Sequence, residues 1–191
     1  STLLASSAAS DVYKRQLLMN ETAGNVGRFL YLSSEEVFGG EYTQDISCEE
    51  NCAAYTVRAQ AIAAGEELCR SYFNMGYETI VLRLDHLYGE PLTGAEARDI
   101  CARMSVEGLE TGEIRVNPHN RVALLHYSDA VEFLYAVITA KKMTYGVYQI
   151  SSGETISVRS AAEFVAAELE GVKVVEDTGR AVSYTHLRAH E

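Results

Sequence analysis

Two hydroxyls and two carboxylates stand in a row at Ser33, Ser34, Glu35 and Glu36. Hydroxyls give and accept hydrogen bonds, and carboxylates accept them and can move protons. The residues before them, within RFLYLSSEEVFG (Arg28–Gly39), are apolar, aromatic or β-branched. That run is too short for an ordinary helix and reads as a strand buried on both faces, opening into a polar loop at its carboxyl end. In an open α/β sheet, ligands bind beyond the carboxyl ends of the strands. A polar turn closing a buried strand has the same composition, so both readings stand on these residues alone. A second buried strand, Thr79–Leu84, also ends in polar groups, Asp85 and His86.

The elements between can be read from period and punctuation. Leu17–Ala23 reads as the end of a helix, followed by turn chemistry at Gly24, Asn25 and Gly27. Gly39–Cys52 is a polar, acidic loop. Ala53–Asn74 reads as a long helix with Val57, Ala61, Ala64, Leu68 and Tyr72 on one face, ended by Gly76. Strand, helix, strand makes a parallel crossover unit. Ala95–Leu109 reads as a helix, Glu110–Asn120 as a hairpin and Val122–Tyr127 as a strand. Ser128 can cap the next helix, with Val131, Leu134, Tyr135 and Ile138 on one face. Val147–Ser151 reads as a strand. Ser160 with Glu163 forms a capping-box pattern before Phe164–Leu169, and Gly171 closes that helix.

At 191 residues, 47% apolar and with two prolines, the chain can build a sizeable core in one or two domains. A net charge of −11 disfavours nucleic acid or an anionic membrane as partner. No apolar run reaches the length of a membrane span, and no secretory signal is evident. Cys48, Cys52, Cys69 and Cys101 form no CxxC pair and have no His at metal spacing. They read as reduced thiols of a cytoplasmic protein, with no metal site. Residues 1–16 and 182–191 continue no period of their neighbours and resemble translated adaptor sequence. The expected native segment is therefore 17–181, an internal piece of a longer protein.

Five segments in order carry a resemblance: LYLSSEEVFG, a helix ending AGEELCRSY, TIVLRLDHLYGEP, ALLHYSDAVEFLYAVI and GVYQISSGETIS. Together they resemble the extended short-chain dehydrogenase/reductases, and within them the NAD-dependent epimerase/dehydratase family, which acts on nucleotide sugars. The resemblance implies an incomplete doubly wound, Rossmann-like parallel sheet lacking its amino-terminal strands, with a small substrate-binding lobe. It implies NAD as cofactor, a nucleotide-sugar substrate and a homodimeric parent. It also implies an unpaired edge on the Phe29–Leu32 strand and no activity in the fragment itself. The family's glycine-rich phosphate turn and acidic ribose partner are not found in this sequence.

The same resemblance assigns roles. Ser34 takes the place of the Ser or Thr that hydrogen-bonds the reacting oxygen, with Ser33 beside the cofactor. Tyr55 takes that of the catalytic base, also touching cofactor. The family Lys four residues on is Ala59 here, and Arg58 is the nearest cation. An ungapped alignment of AGEELCRSY instead places Arg58 and Ile62 at the Tyr and Lys positions. A free Tyr, with pKa near 10, costs about 4 kcal/mol to ionise at pH 7, so the cation matters. Glu36 matches the acid/base Glu of 4,6-dehydratases, and Glu35 reads as an acidic surface neighbour or a substrate contact. His86 stands at the family's substrate-binding Asn. Val122 holds the place of the phosphate-binding Arg, with Arg121 one residue off and so facing the other way on a strand. Asp129 reads as a helix-start charge. The expected activity of the parent is that of a nucleotide-sugar epimerase or 4,6-dehydratase. The other reading is a degenerate relative that binds a nucleotide or a protein without turnover.

Overall fold

The structure is a computed structural model that describes residues 14, 17–21, 27–38, 56–89 and 99–179. The chain divides into two units. The first contains β1 (Phe29–Ser34), a 3-10 turn at Glu35–Phe38, α1 (Val57–Asn74), β2 (Thr79–Leu84) and β6 (Val147–Ile150). It also takes α3 (Tyr127–Thr139) from Ala130 onward.

The first unit is built on a three-stranded parallel sheet in the order β1-β2-β6. All six residues of β2 are buried, as its unbroken TIVLRL run anticipates. Removing Ile80, Val81 and Leu82 from water stabilises the sheet by about 1.5–3 kcal/mol each. β1 is less covered, and Leu32 is 52% exposed, because among the described residues β2 is its only strand partner. α1 joins β1 to β2 and packs on both. Met19, Cys69, Tyr72 and Val81 form the core cluster beneath it.

α1 departs from the sequence reading in two ways. It opens at Val57, where the Thr56 hydroxyl caps it by accepting from the Ala59 amide at 3.0 Å. Its buried side carries Ala59, Glu66, Cys69 and Tyr72, while Val57 is 60% exposed. The face is rotated because a glutamate, not an aliphatic residue, points inward at position 66.

α3 buries only Ala130, and Val131, Tyr135 and Ile138 stand exposed. Arg28 ties down its carboxyl end: the guanidinium donates to the carbonyls of Val137 and, at 3.0 Å, of Ala140. These are carbonyls that a helix end leaves without an internal partner. Glu78 accepts at 2.6 Å from Nη2, the nitrogen that also reaches Ala140, and from the Met143 amide at 3.2 Å.

The second unit contains β3 (His86–Tyr88), α2 (Ile100–Thr111), β4 (Glu113–Val116), β5 (Arg121–His126), β7 (Thr155–Ser157), α4 (Val158–Ala167) and β8 (Lys173–Glu176). Asp99 caps α2, accepting from the Ala102 amide at 2.7 Å, and Gly112 ends it with a φ of 75°. The expected hairpin at 110–120 does not form. β4 pairs in parallel with β8, and β5 pairs with β3 in parallel and β7 antiparallel. Ile100, Met104, Ile114, Val116, Val122, Val158, Ala161 and Ala162 make the core. In the β4–β8 pair, Ile114 and Val116 are buried, and β4 packs against α2 and α4. The cap of α4 is Ser157, accepting from the Ser160 amide at 2.9 Å, three residues before the expected capping box. Ser128 lies inside the first turn of α3, and its hydroxyl sits 2.7 Å from the His126 Nδ1 atom.

Candidate functional site

The carboxyl end of β1 is where hydroxyls and carboxylates gather. Alternation along the strand sends Ser33 and Ser34 to opposite faces. Ser33 is buried and donates from its hydroxyl to Glu66 Oε1 at 2.5 Å. Ser34 is half-buried, and its Oγ accepts from the Glu36 amide at 3.3 Å. That bond is the local side-chain-to-backbone turn that serines favour, and it starts the 3-10 turn. Val37 anchors the turn in the interior at 0% exposure, and Glu35, expected as a surface neighbour, is instead buried at 3% exposure because the turn carries it inward with Val37.

Glu36 turns toward α1, with its Oε1 3.5 Å from Arg58 Nε. The glutamate side chain is 14% exposed and the arginine 53%, so the pair sits at the rim. Ser34, Glu36 and Arg58 are thus brought together. Tyr55 lies outside the described residues. Ala59, one residue past Arg58, is buried and carries no charge.

Beneath this corner lies a buried charge network that the sequence reading does not anticipate. Arg83, on β2, is 0% exposed and Glu66 is 1% exposed. Arg83 Nη2 donates to Glu66 Oε2 at 2.6 Å, and its Nε to Oε1 at 2.9 Å. The Arg83 guanidinium carbon is 4.7 Å from the centre of the Phe38 ring. Arg70 adds a longer contact to Glu66 at 3.8 Å. A signal for this pair exists in the sequence: an arginine inside a strand buried on both faces needs an anion.

In the second unit, His86 is half-buried on β3, opposite Leu124 of β5. Arg121 is exposed and is held by Thr155, its Nε donating to Oγ1 at 3.0 Å and its Nη2 to the carbonyl at 2.6 Å. Val122, at the family's phosphate-arginine position, is 2% exposed within the core. The two residues therefore face opposite ways, as a one-residue offset on a strand requires. Asp129 accepts from the Ser128 hydroxyl at 3.1 Å in the first turn of α3. Among the described residues, no three His, Cys, Asp or Glu side chains cluster as a metal site. No helix among them is long and apolar enough to cross a membrane.

The family model described as the RmlD substrate binding domain matches residues 8–185. The chain belongs to that family. It falls within the NAD-dependent epimerase/dehydratase branch of the short-chain dehydrogenase/reductases. No protein of curated function matches the sequence. Among solved structures, the chain is similar to TunA, an NAD-dependent NDP-hexosamine 5,6-dehydratase of tunicamycin biosynthesis. The match has a TM-score of 0.77 and 19% identity, over 89% of this chain and 56% of that one. It is similar to the dTDP-glucose 4,6-dehydratase DesIV of Streptomyces venezuelae, solved with NAD bound, at TM-score 0.73 and 18% identity, over 89% and 54%. It also resembles the UDP-N-acetylglucosamine 4-epimerase of Methanobrevibacter ruminantium M1, at TM-score 0.66 and 16% identity, over 80% and 51%. The chain spans about half the length of these structures. Their likeness establishes a Rossmann-like α/β fold for this member of the RmlD family, with β1, β2 and β6 as its parallel sheet.

Proposed function

We propose that this chain is part of an NAD-dependent nucleotide-sugar epimerase or 4,6-dehydratase that oxidises a sugar hydroxyl to a transient ketone. The observation that carries the reading is the corner itself. Where β1 opens at its carboxyl end, the Ser34 hydroxyl accepts from the Glu36 amide, and the Glu36 carboxylate meets Arg58 at 3.5 Å. This is where parallel sheets present ligands.

The reading takes a nicotinamide cofactor, which when bound supplies the hydride acceptor. Ser34, half-buried, is assigned the hydrogen bond to the substrate oxygen. Ser33, whose hydroxyl is bonded to Glu66, is assigned to the cofactor side of the corner. Tyr55 is assigned the hydroxyl proton, and Glu36 the proton alpha to the ketone, which favours a dehydratase over a simple epimerase. Arg58 supplies positive charge beside Glu36, one residue before Ala59, which holds the family's lysine position. Glu35, His86 and Arg121 are assigned to the substrate. The parent is proposed as a cytoplasmic homodimer.

One observation favours a second reading, a relative that binds a nucleotide or a partner protein without turnover. Val122 is in the core and Arg121 is held by Thr155, so the family's phosphate grip is altered.

The test incubates the protein carrying this chain with NAD and UDP-, GDP- and dTDP-sugars, with products read by mass spectrometry. Turnover that falls about a hundredfold or more in Ser34→Ala and in Glu36→Gln supports the first reading. Turnover unchanged by either substitution overturns the site. Binding of a nucleotide sugar without turnover selects the second reading.

A further inference from the structure

The Glu66–Arg83 pair is buried, doubly hydrogen-bonded and remote from solvent, so burial alone would favour replacing it with hydrocarbon. Its connections point to another use. Glu66 accepts from Ser33, the residue before Ser34. The Arg83 guanidinium sits over the ring of Phe38, the last residue of the turn that carries Glu35 and Glu36. The two charges therefore grip both ends of the segment 33–38, one through a hydroxyl and one through a ring. Between those grips lie Ser34 and Glu36, joined by the bond from the Glu36 amide to the Ser34 Oγ. Val37, fully buried, anchors the middle of the segment in the core.

From this geometry we infer that Glu66 and Arg83 are positioning residues: they hold the Ser33–Phe38 corner in the one conformation that sets Ser34 beside Glu36. Two features of the pair support this over a purely stabilising one. A carboxylate accepts at two oxygens, and here Oε1 is shared between Ser33 and Arg83, so the strand end and the arginine are locked to the same atom. The arginine meets the carboxylate through two nitrogens while its guanidinium sits over Phe38, a pair of contacts that the single ammonium of lysine does not reproduce. As it bears on catalysis, the inference rests on the function proposed above; as it bears on the corner's geometry, it stands by itself.

The test uses the full 191-residue chain and amide hydrogen exchange followed by NMR. The double variant Glu66→Leu/Arg83→Met removes both charges at similar volume, and Arg83→Lys keeps the charge without the fork. Ser33→Ala, which leaves the ion pair intact, serves should the double variant fail to fold. The expected result is exchange at the Glu36 and Val37 amides faster by tenfold or more in each variant. The Val81 amide, bonded to the Gly146 carbonyl at 2.8 Å, should change by less than threefold. Unchanged exchange at Glu36 and Val37, or equal acceleration at all three amides, overturns the inference, because the pair would then serve overall stability only. In a catalytically active parent the same variants should lower kcat at least tenfold with KM within threefold. A KM rise at constant kcat counts against positioning. Where the parent shows no turnover, it is the proposed function that fails, and the exchange rates alone decide whether the pair holds the corner.

Discussion

Replacing Arg28 with methionine should detach α3 from the first unit while leaving the sheet in place. The side chain is 12% exposed and joins three groups: the carbonyls of Val137 and Ala140 and the carboxylate of Glu78. Methionine keeps the apolar stem and removes the cation. A cation at a helix carboxyl end contributes about 1 kcal/mol. The Glu78 pair, about one-third exposed on the acid side, contributes about 0.5–1 kcal/mol after screening. Leaving partly buried carbonyls without a donor adds about 1 kcal/mol. The sum is about 2–3 kcal/mol. It falls mainly on α3, whose own packing buries only Ala130.

The acid dependence follows from the same contacts. The Arg28 hydrogen bond, opposed by partial burial and aided by the Met143 amide and Lys142, holds the Glu78 carboxyl below its ordinary value. A carboxyl lowered in the folded state contributes stability that is complete above its unfolded pKa. That stability is lost as pH falls through the lower folded value. Wild type should therefore shed part of its stability in that acid window, and Arg28→Met should shed less there because it starts without the pair. Urea unfolding followed by circular dichroism at neutral and acid pH measures both. Hydrogen exchange at amides 131–139 localises the loss. A neutral-pH loss below about 0.5 kcal/mol, or an acid limb equal to wild type, would refute the clamp.

Gly108→Ala sets a Cβ 2.9 Å from Val172 Cγ1 and 3.2 Å from Ile114 Cγ1. Overpacking of about 1–3 kcal/mol should outweigh the gain of about 1 kcal/mol in helix propensity, so the melting temperature falls. Gly112→Ala meets open space but must hold a φ of 75°, and should cost about 1 kcal/mol in a thermal melt. Burial, with Asp99 nearby, pushes the Cys101 thiol up to about 11. Its alkylation by iodoacetamide at pH 8, read by peptide mass spectrometry, should run about a hundredfold or more slower than that of an ordinary thiol.

Much of the architecture is legible from local pattern. β2 can be read at Thr79–Leu84 because a short, mostly apolar and β-branched run, broken only by Arg83, has few other uses. β1 and β6 are legible for the same reason. The departures share a cause. The hairpin expected at 110–120 does not form because a strand pattern does not name its partner, and β8 lies far along the chain from β4. The cap of α4 falls at Ser157 rather than Ser160, and the two look alike in sequence; only their backbone angles separate them. The buried face of α1 differs from the apolar period because Glu66, a residue type that usually meets solvent, turns inward.

The candidate site is legible in part. Ser34 and Glu36 stand together at a strand end, as their order along the chain implies. That Arg58 meets Glu36 follows from where α1 packs on β1, which no spacing reveals.

By itself the sequence determined which stretches become buried strands and which become helices, because those choices answer to side-chain period and turn residues a few positions apart. The tertiary structure alone decided which strands pair, which way Glu66 faces, and what neutralises Arg83. Those outcomes depend on groups brought together across the chain, where burying a charge is tolerable only if its counter-ion arrives at the same place.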